Sequence, residues 1–207
     1  MNKIKNIIKI SKLNKKYNLK NNETIEIIKN LDLNLKKNSK ISIIGPSGSG
    51  KTTLLNIIGL LDKQFTGSYL YKDNDVASLS EKQINSIRGL SIGFIHQFFH
   101  LIPELTVIEN VMLPILINKK KGNDAIDRAS EILIEFGLKD RINYKPLNLS
   151  GGEQQRVAIS RALVIDPDII LADEMTGNLD ENTANSIFTF FINYIEQNKK
   201  TLVYVTH

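Results

Sequence analysis

The residues best suited to do chemistry lie in one short glycine-rich segment near residue 50. This segment follows the pattern G-x-x-x-x-G-K-[ST] at every defined position, with the residues Gly45, Pro46, Ser47, Gly48, Ser49, Gly50, Lys51 and Thr52. Glycines allow successive backbone N–H groups to turn toward one anion, the lysine adds a full positive charge, and the threonine hydroxyl suits Mg²⁺. The segment therefore predicts a site for the phosphates of a nucleotide.

The runs on either side of this segment supply the strand and the helix that a phosphate loop needs. Residues 41–44 are apolar and β-branched, which is typical of a buried strand, and residues 53–58 have the apolar content of a helix packed on a sheet. The N-terminus of that helix would add partial positive charge and unpaired N–H groups. A plain turn between strand and helix is the alternative, but it would not require Lys51 and Thr52.

A pair of carboxylates follows the apolar run 169–172. Asp173 and Glu174 stand where that run stops, and two adjacent charges there are costly unless a cation or a proton transfer uses them. Asp173 is a candidate to hold Mg²⁺ through water, and Glu174 is a candidate to accept a proton from attacking water. An acidic turn at the surface is the alternative.

Gln97 and Tyr17 are two further candidates for ligand contact. Gln97 comes shortly after the apolar run 92–95, at the edge where open α/β sheets bind ligands, so it either orients water, ligates Mg²⁺ or is a simple loop residue. Tyr17 belongs to residues 14–18, which are predicted to form a polar loop, and it is either a ring that stacks on adenine or an ordinary edge residue.

The three histidines carry weaker signals. His207 would lie beside Asp173 and Glu174 if the last two buried strands are parallel neighbours; otherwise it is a frayed terminal residue. His96 and His100 are too isolated for metal ligands, and a loop or packing role is expected.

A second helix start carries two consecutive glycines. Ser150 is a good N-cap, and Gly151 and Gly152 would let a ligand approach the backbone. We interpret this segment as a second anion site; an ordinary capped helix is the alternative, although capping alone does not need two glycines.

The remaining pattern places these groups in an α/β fold. Alternating, half-exposed strands are predicted at 24–28 and 31–35, an edge strand at 67–71, and buried strands at 92–95, 169–172 and 202–205. Helical faces are predicted at 124–137 and 184–195, the first of them ending at Gly137. The chain changes character after Phe98, which indicates a helical insertion between core strands.

Composition limits the classes of protein. A chain of 207 residues with 42% hydrophobic content can bury one full core, with a lobe inserted, and the absence of cysteine fits a reducing compartment. The N-terminus lacks the features of a signal peptide, and the apolar run 111–117 is too short to cross a bilayer. We therefore expect a cytosolic chain. The net charge of +5 has no aromatic-basic module beside it, so we expect no nucleic-acid partner.

In their order, these motifs resemble those of the nucleotide-binding subunit of ATP-binding-cassette (ABC) transporters over essentially the whole chain. The matching segments are the Walker A loop (45–52), the Q-loop (Gln97), the signature (149–154), the Walker B strand (169–174), the D-loop (177–180) and the switch histidine (His207). Tyr17 stands where the family has its adenine-stacking aromatic residue, which favours the stacking role.

Within the family, four segments look like the ATPase of the bacterial lipoprotein-releasing system: 95–103, 109–116, 171–180 and 185–188. Macrolide or peptide exporters and cell-division complexes have similar ATPases and are the alternatives. A soluble ABC protein of translation or DNA repair usually has two cassettes or a long coiled-coil insertion, and this sequence has neither. A generic phosphate-loop kinase or GTPase would have no use for the signature.

The resemblance implies a phosphate-loop NTPase core with a mainly parallel sheet, an N-terminal antiparallel β subdomain and a helical insertion over residues 98–165, all in one domain, 1–207. It implies a head-to-tail homodimer whose ATP lies between Walker A of one chain and the signature of the other. The implied ATP contacts within one chain are Tyr17 and the residues from Gly45 through Thr52 to Thr53. The second chain would contribute Ser150, Gly151 and Gly152.

The resemblance also implies roles in catalysis. Glu174 would activate water, and His207 would position the γ-phosphate and that water. Lys51 would direct its charge toward the β- and γ-phosphates, and Gln97 would link Mg²⁺ to the membrane partner. The implied Mg²⁺ ligands are Thr52, Gln97 and Asp173, and Asp180 would communicate across the dimer. Membrane-embedded permease subunits would dock on the helical insertion, which places the chain on the cytoplasmic face of the inner membrane.

Two departures from the family pattern stand out. Met175 replaces the proline that usually follows the catalytic glutamate, which would give the backbone at Glu174 more freedom. The family continues through further strands and a helix after the switch histidine, so we expect that the C-terminal end is missing after His207 and that hydrolysis is lower than in an extended chain.

Overall fold

The computed structural model describes residues 6–18, 23–118 and 122–206 and has eight strands and six α-helices in these ranges. The strands are β1 (Asn6–Asn18), β2 (Thr24–Lys36), β3 (Lys40–Ile44), β4 (Thr66–Tyr71), β5 (Asn74–Asp75), β6 (Ile92–Ile95), β7 (Ile169–Asp173) and β8 (Thr201–Thr206). The helices are α1 (Lys51–Ile58), α2 (Glu81–Ser91), α3 (Val107–Ile117), α4 (Gly122–Glu135), α5 (Gly151–Leu163) and α6 (Glu181–Gln197). His207, and with it the prediction for the switch histidine, lies outside the described residues.

The strands form two sheets of opposite character. One has the order β2-β1-β4-β5 and is antiparallel; the other has the order β3-β8-β7-β6 and is parallel throughout. The predicted buried strands at 92–95, 169–172 and 202–205 are confirmed, and β7 and β8 are parallel neighbours, with Asp173 paired to Val205. All four carboxyl ends of the parallel sheet therefore meet at one edge, where α/β folds bind ligands.

Two predictions for the N-terminal half are wrong. Residues 14–18 form the end of β1 instead of a polar loop, because β2 pairs with them and satisfies their backbone groups despite their polarity. The strand at 67–71 is not at an edge, because β4 pairs with β1 on one side and with the two-residue β5 on the other. Neither pairing partner can be read from local composition.

The parallel sheet separates two hydrophobic cores. Along β7, Ile169 and Leu171 face a core shared with α1 and the antiparallel sheet, whereas Ile170 and Ala172 face a second core shared with α3, α4, α5 and α6. Every residue of β7 is buried, as expected for a strand covered on both faces.

Several helices in and before the helical insertion begin or end at local signals that the sequence contains. Helices α2, α3 and α5 each start with a complete capping box, and α4 is followed by Gly137 at φ +71°, which confirms the predicted stop. No helix in the described ranges is both long enough and apolar enough to span a bilayer.

We predict that Gly93→Ala destabilises the protein by about 1–3 kcal/mol, the usual cost of overpacking. A Cβ at position 93 of β6 would lie 2.4 Å from the backbone oxygen of Ala162 in α5, and neither backbone can yield without parting strand and helix. Urea denaturation measures the loss.

Gly89→Ala is the matched control for this substitution. The three atoms nearest to a Cβ there all belong to the side chain of Asn118, the closest being Oδ1 at 2.9 Å, and this amide can shift at the cost of its hydrogen bonds to the carbonyls of Gly89 and Pro114. Position 89 lies in α2, where alanine favours the helix by about 1 kcal/mol. Equal stability of the two variants would show that β6 and α5 do not need their close contact.

Candidate nucleotide site

The phosphate loop leads from the end of β3 into α1, as its pattern predicts. Gly48 and Gly50 have φ values of +78° and +89°, which only glycine adopts readily, and a Cβ at Gly50 would lie 2.6 Å from the side chain of Ile27 in β2. Helix α1 has no side-chain cap and no acidic residue in its first turn. Its first N–H groups and its positive dipole end are therefore left for an anion.

Lys51 lies across the mouth of this loop. Its side chain is 7% exposed, and Nζ donates to the backbone oxygens of Gly45 (2.8 Å) and Pro46 (3.1 Å). The same ammonium lies 3.9 Å from Oε1 of Glu174. The lysine ammonium is thus held at the loop by two backbone carbonyl groups, beside the carboxylate of Glu174.

Thr52 and Asp173 bring two hard oxygen atoms together. The threonine Oγ1 donates a hydrogen bond to Oδ2 of Asp173 at 2.8 Å, which joins the start of α1 to the end of β7. Burial raises the pKa of Asp173, as does the neighbouring charge of Glu174, although the hydrogen bond from Thr52 acts in the opposite direction. Hydroxyl and carboxylate oxygens are the ligands that Mg²⁺ prefers, so this donor set fits that ion.

Glu174 occupies an unusual backbone conformation directly after β7. Its φ is +42°, which non-glycine residues rarely adopt, and its carbonyl accepts a hydrogen bond from Gly177 N at 2.9 Å. The next side chain, Met175, is 4% exposed and packs in the core of the helical insertion. The buried methionine and the following turn thus fix the backbone that carries the carboxylate.

Gln97 lies beside the turn that follows Glu174. Its carbonyl accepts a hydrogen bond from Asn178 Nδ2 at 2.9 Å, and its Nε2 lies 3.4 Å from the position that a Cβ on Gly177 would take. This turn leads to Asp180, which caps α6 through Thr183 N at 3.0 Å. The Q-loop and D-loop segments are therefore in contact with each other.

The segment with the two glycines is built around a charged capping box. Ser150 accepts a hydrogen bond from Glu153 N, and Oε2 of Glu153 accepts from the amide and hydroxyl of Ser150 at 2.8 and 2.9 Å. Arg141 Nε donates to the other carboxylate oxygen at 2.9 Å. The backbone hydrogen bond from Ser150, together with the contacts from its hydroxyl and Arg141, holds the pKa of Glu153 below its usual range.

This segment packs on the D-loop side of its own chain. Cβ atoms on Gly151 and Gly152 would meet Leu179 at 3.4 Å and Thr183 at 2.7 Å. Among the residues described, no hydrogen bond or ion pair links Ser150–Gly152 to the phosphate loop. One chain thus brings Lys51, Thr52, Asp173 and Glu174 together without a hydrogen bond or ion pair, within the described ranges, from the two-glycine segment.

Tyr17 lies near the end of β1, beside the strand β2 that contacts the phosphate loop. It pairs with Ile25 of β2, two residues from the Ile27 side chain that abuts Gly50. Its ring is 42% exposed, and its hydroxyl donates to Asp62 Oδ2 at 3.3 Å.

The two described histidines pack against aromatic rings, which agrees with the expected loop or packing role. His96 stacks on Phe94 with 4.3 Å between ring centroids and lies 5.0 Å from the His100 ring. Burial, together with His100 and Arg161, lowers the pKa of His96 to about 4. The described residues contain no group of three potential ligands with metal-site geometry.

Several contacts around the site were missed by the sequence analysis. Asn110 is fully buried and bonds to backbone groups of residues 102–106, and Arg161 donates to the carbonyls of Phe99 (2.8 Å) and His100 (2.6 Å). Together they hold the loop after Gln97. Neither contact has a local signal in the sequence, because both depend on tertiary proximity. The capping boxes differ, since the S-x-x-E spacing of Ser150 and Glu153 can be read directly.

Comparison with known proteins agrees with this geometry. The family model described as "ABC transporter" matches residues 28–177. The chain is 45% identical to the lipoprotein-releasing system ATP-binding protein LolD of Legionella pneumophila (strain Lens), covering 97% of this chain and 88% of that one. It is 43% identical to the uncharacterized ABC transporter ATP-binding protein YvrO of Bacillus subtilis (strain 168), covering 97% and 87%.

Solved structures give the same result for the fold. The dimeric post-hydrolysis structure of the ATP-binding cassette MJ0796 with ADP and Pi superimposes with a TM-score of 0.87 at 43% identity, over 97% of this chain and 88% of that one. The cassette cbiO1 of Clostridium perfringens gives a TM-score of 0.84 at 27% identity, over 98% and 79%. The fold is that of a phosphate-loop NTPase, as the sequence predicts.

We predict that Asp173→Asn stabilises the nucleotide-free protein at neutral pH and that the gain shrinks in acid. The folded pKa of Asp173 is raised, so its stability contribution is full below the unfolded value of 3.8 and is lost as pH rises through the folded pKa. The uncharged amide of the Asp173→Asn variant does not ionise, so the variant does not lose this stability as pH rises. Urea denaturation at about pH 7.5 and about pH 4.5 measures the difference.

Asp168→Asn is the matched control, with the opposite sign. Burial alone would raise the pKa of Asp168, but the hydrogen bond from Lys72 at 2.6 Å lowers it overall. Its stability contribution is present above the unfolded pKa and lost as pH falls through the folded pKa, so its amide variant should be destabilised most at neutral pH. If Asp173→Asn followed the same pattern, burial would not control that carboxyl.

Proposed function

The chain belongs to the ABC transporter family, in which it is an ATP-hydrolysing subunit of a transporter, and we propose that it powers release of lipoproteins from the inner membrane toward a periplasmic carrier. The observation that carries the ATPase assignment is the meeting of Lys51, Thr52, Asp173 and Glu174 at one edge of a parallel sheet. The name of the Legionella relative supports the lipoprotein role.

We propose that the phosphates of ATP bind to the residues from Gly45 to Thr53 and that the adenine stacks on Tyr17. The N–H groups at the start of α1 and the ammonium of Lys51 would hold the phosphate oxygens. On binding, Lys51 exchanges the carbonyls of Gly45 and Pro46 for phosphate, a charged acceptor that forms the stronger hydrogen bond.

Mg²⁺ would be held by Thr52, Asp173 and Gln97, where it would neutralise charge on the phosphates. Glu174 is proposed to accept the proton of the attacking water, since it follows β7 directly and its carboxylate lies 3.9 Å from Lys51. His207 is proposed to contact the γ-phosphate, and Gln97 also to sense the membrane partner through its contact with the turn at Gly177 and Asn178.

A second copy is proposed to complete each site. In the described residues, Ser150, Gly151 and Gly152 make no hydrogen bond or ion pair with the phosphate loop of their own chain, and the start of α5 would supply N–H donors to the nucleotide of the partner. Asp180 caps α6 through Thr183 N, and Thr183 is the residue that a Cβ on Gly152 would meet, so Asp180 is proposed to communicate across the dimer. The relative MJ0796 was solved as a dimer.

The helical insertion is proposed to dock permease subunits at the cytoplasmic face of the membrane. Phe98, Ile102 and Ile117 are 63%, 40% and 75% exposed on its surface, which is unusual for large apolar side chains without a partner. An exporter of macrolides or peptides and a cell-division complex are the alternatives, since their ATPases share the same motifs.

We predict that Glu174→Gln lowers ATP turnover by about 10²- to 10⁴-fold, the usual contribution of a general base, while ATP binding and ATP-dependent dimer formation persist. Phosphate release measures turnover, and size-exclusion chromatography with ATP measures the dimer. Glu131→Gln is the control, because this substitution removes the same charge from a side chain of α4 that is 69% exposed. Normal turnover of Glu174→Gln would disprove the assignment of the base.

The same variant tests the transport role. We expect that Glu174→Gln, trapped with ATP and Mg²⁺, co-purifies from native membranes with membrane subunits that have large periplasmic domains, together with lipoproteins. Mass spectrometry identifies them. Recovery of drug-export or cell-division components would assign the chain to a related system, and recovery of soluble partners alone would contradict the transporter role.

A further inference from the structure

A buried lysine lies under the ring of Tyr17. Lys15 and Tyr17 are two residues apart in β1, so both side chains point to the same face of the sheet. The Nζ atom of Lys15 lies 4.5 Å from the centroid of the Tyr17 ring, within the range of a cation–π contact. The lysine side chain is 1% exposed, which is rare for lysine and requires partners.

Asp62 and Gln64 supply those partners. Lys15 Nζ lies 2.9 and 2.7 Å from the two carboxylate oxygens of Asp62 and donates to Gln64 O at 2.7 Å. Burial alone would raise the pKa of Asp62, but the hydrogen bonds from Lys15 and the Gln64 amide hold it below its usual value. The carboxylate therefore stays charged and also accepts the Tyr17 hydroxyl at 3.3 Å.

The contacts among Lys15, Tyr17 and Asp62 join the aromatic ring to the helix of the phosphate loop. Asp62 follows the last turn of α1, where the amides of Leu61 and Asp62 donate to Asn56 O at 2.8 and 3.2 Å. The same helix begins at Lys51. The position of the ring is thereby tied to the element that binds the phosphates.

We propose that Lys15 and Asp62 position the Tyr17 ring for the base of the nucleotide, with the lysine covering one face of the ring and the opposite face left for adenine. This inference rests on the proposed stacking of adenine on Tyr17. The cation draws electron density toward its own face, which favours an electron-rich base on the other face. Lys15 and Asp62 are thus positioning residues that set base affinity and take no part in phosphate chemistry.

The test compares two ligands that differ in the base. Calorimetric titration of the whole chain with Mg-ATP and with Mg-tripolyphosphate separates base binding from phosphate binding. We expect Lys15→Met to weaken ATP binding about three- to tenfold, given the strength of a desolvated cation–π contact, while tripolyphosphate binding changes less than about twofold. Lys16→Met is the control with the same loss of charge, because Lys16 is 57% exposed and pairs with Glu26 on the surface.

A second set of variants distinguishes positioning from loss of fold. Tyr17→Ala should remove about 1–3 kcal/mol of base stacking, a five- to 150-fold loss of ATP affinity, and adding Lys15→Met to it should cost nothing more. Asp62→Asn keeps the size of the side chain and should weaken ATP selectively, as Lys15→Met does. Lys15→Arg keeps the cation and should restore part of the affinity.

The outcomes separate this inference from the proposed function. Equal losses for ATP and tripolyphosphate, or an undiminished effect of Lys15→Met in the Tyr17→Ala background, would overturn the positioning role. So would selective weakening by Tyr17→Ala with no effect of Lys15→Met and Asp62→Asn, which would leave adenine stacking intact. A wild-type chain that binds both ligands equally would contradict adenine stacking and the inference together.

Discussion

The hydrogen bond between Thr52 and Asp173 is the contact on which the arrangement of the site depends. It joins residues that are 121 positions apart in the sequence, and it exists because β3 and β7 are held in parallel on either side of β8. With this register, the phosphate loop and the carboxylate pair emerge at the same edge of one sheet. A change in register would carry Asp173 to a different height and face, and the site would be lost even if every motif remained.

The surroundings of the site are held by side-chain hydrogen bonds and ion pairs in addition to apolar packing. Asn110 and Arg161 hold the loop after Gln97 through backbone carbonyls, and Arg141 neutralises Glu153 beside Ser150. Each of these contacts connects a loop to a helix of the insertion. These contacts hold the loops that carry candidate functional residues, and the loops stay at the surface, where a ligand can reach their side chains.

Much of the fold and of the site could be predicted from the sequence, because the decisive signals are local. A phosphate loop is defined by glycine positions and flanking runs, and the carboxylates stand at the end of an apolar strand. The polarity of residues 14–18 misled the prediction because strand pairing in that region is set by β2. Lys15 gave no signal, since lysine is normally exposed and its ion pair comes from Asp62, 47 residues away.

The division of β7 between two cores has a consequence for how the protein opens. Its side chains alternate between the core with α1 and the core with the helical insertion, so loss of packing in either one leaves the strand covered by the other. The amide hydrogens of β7 should therefore exchange with solvent only when both cores open together. The strand that leads to Asp173 and Glu174 would thus be among the last parts of the described chain to lose its protection in local fluctuations.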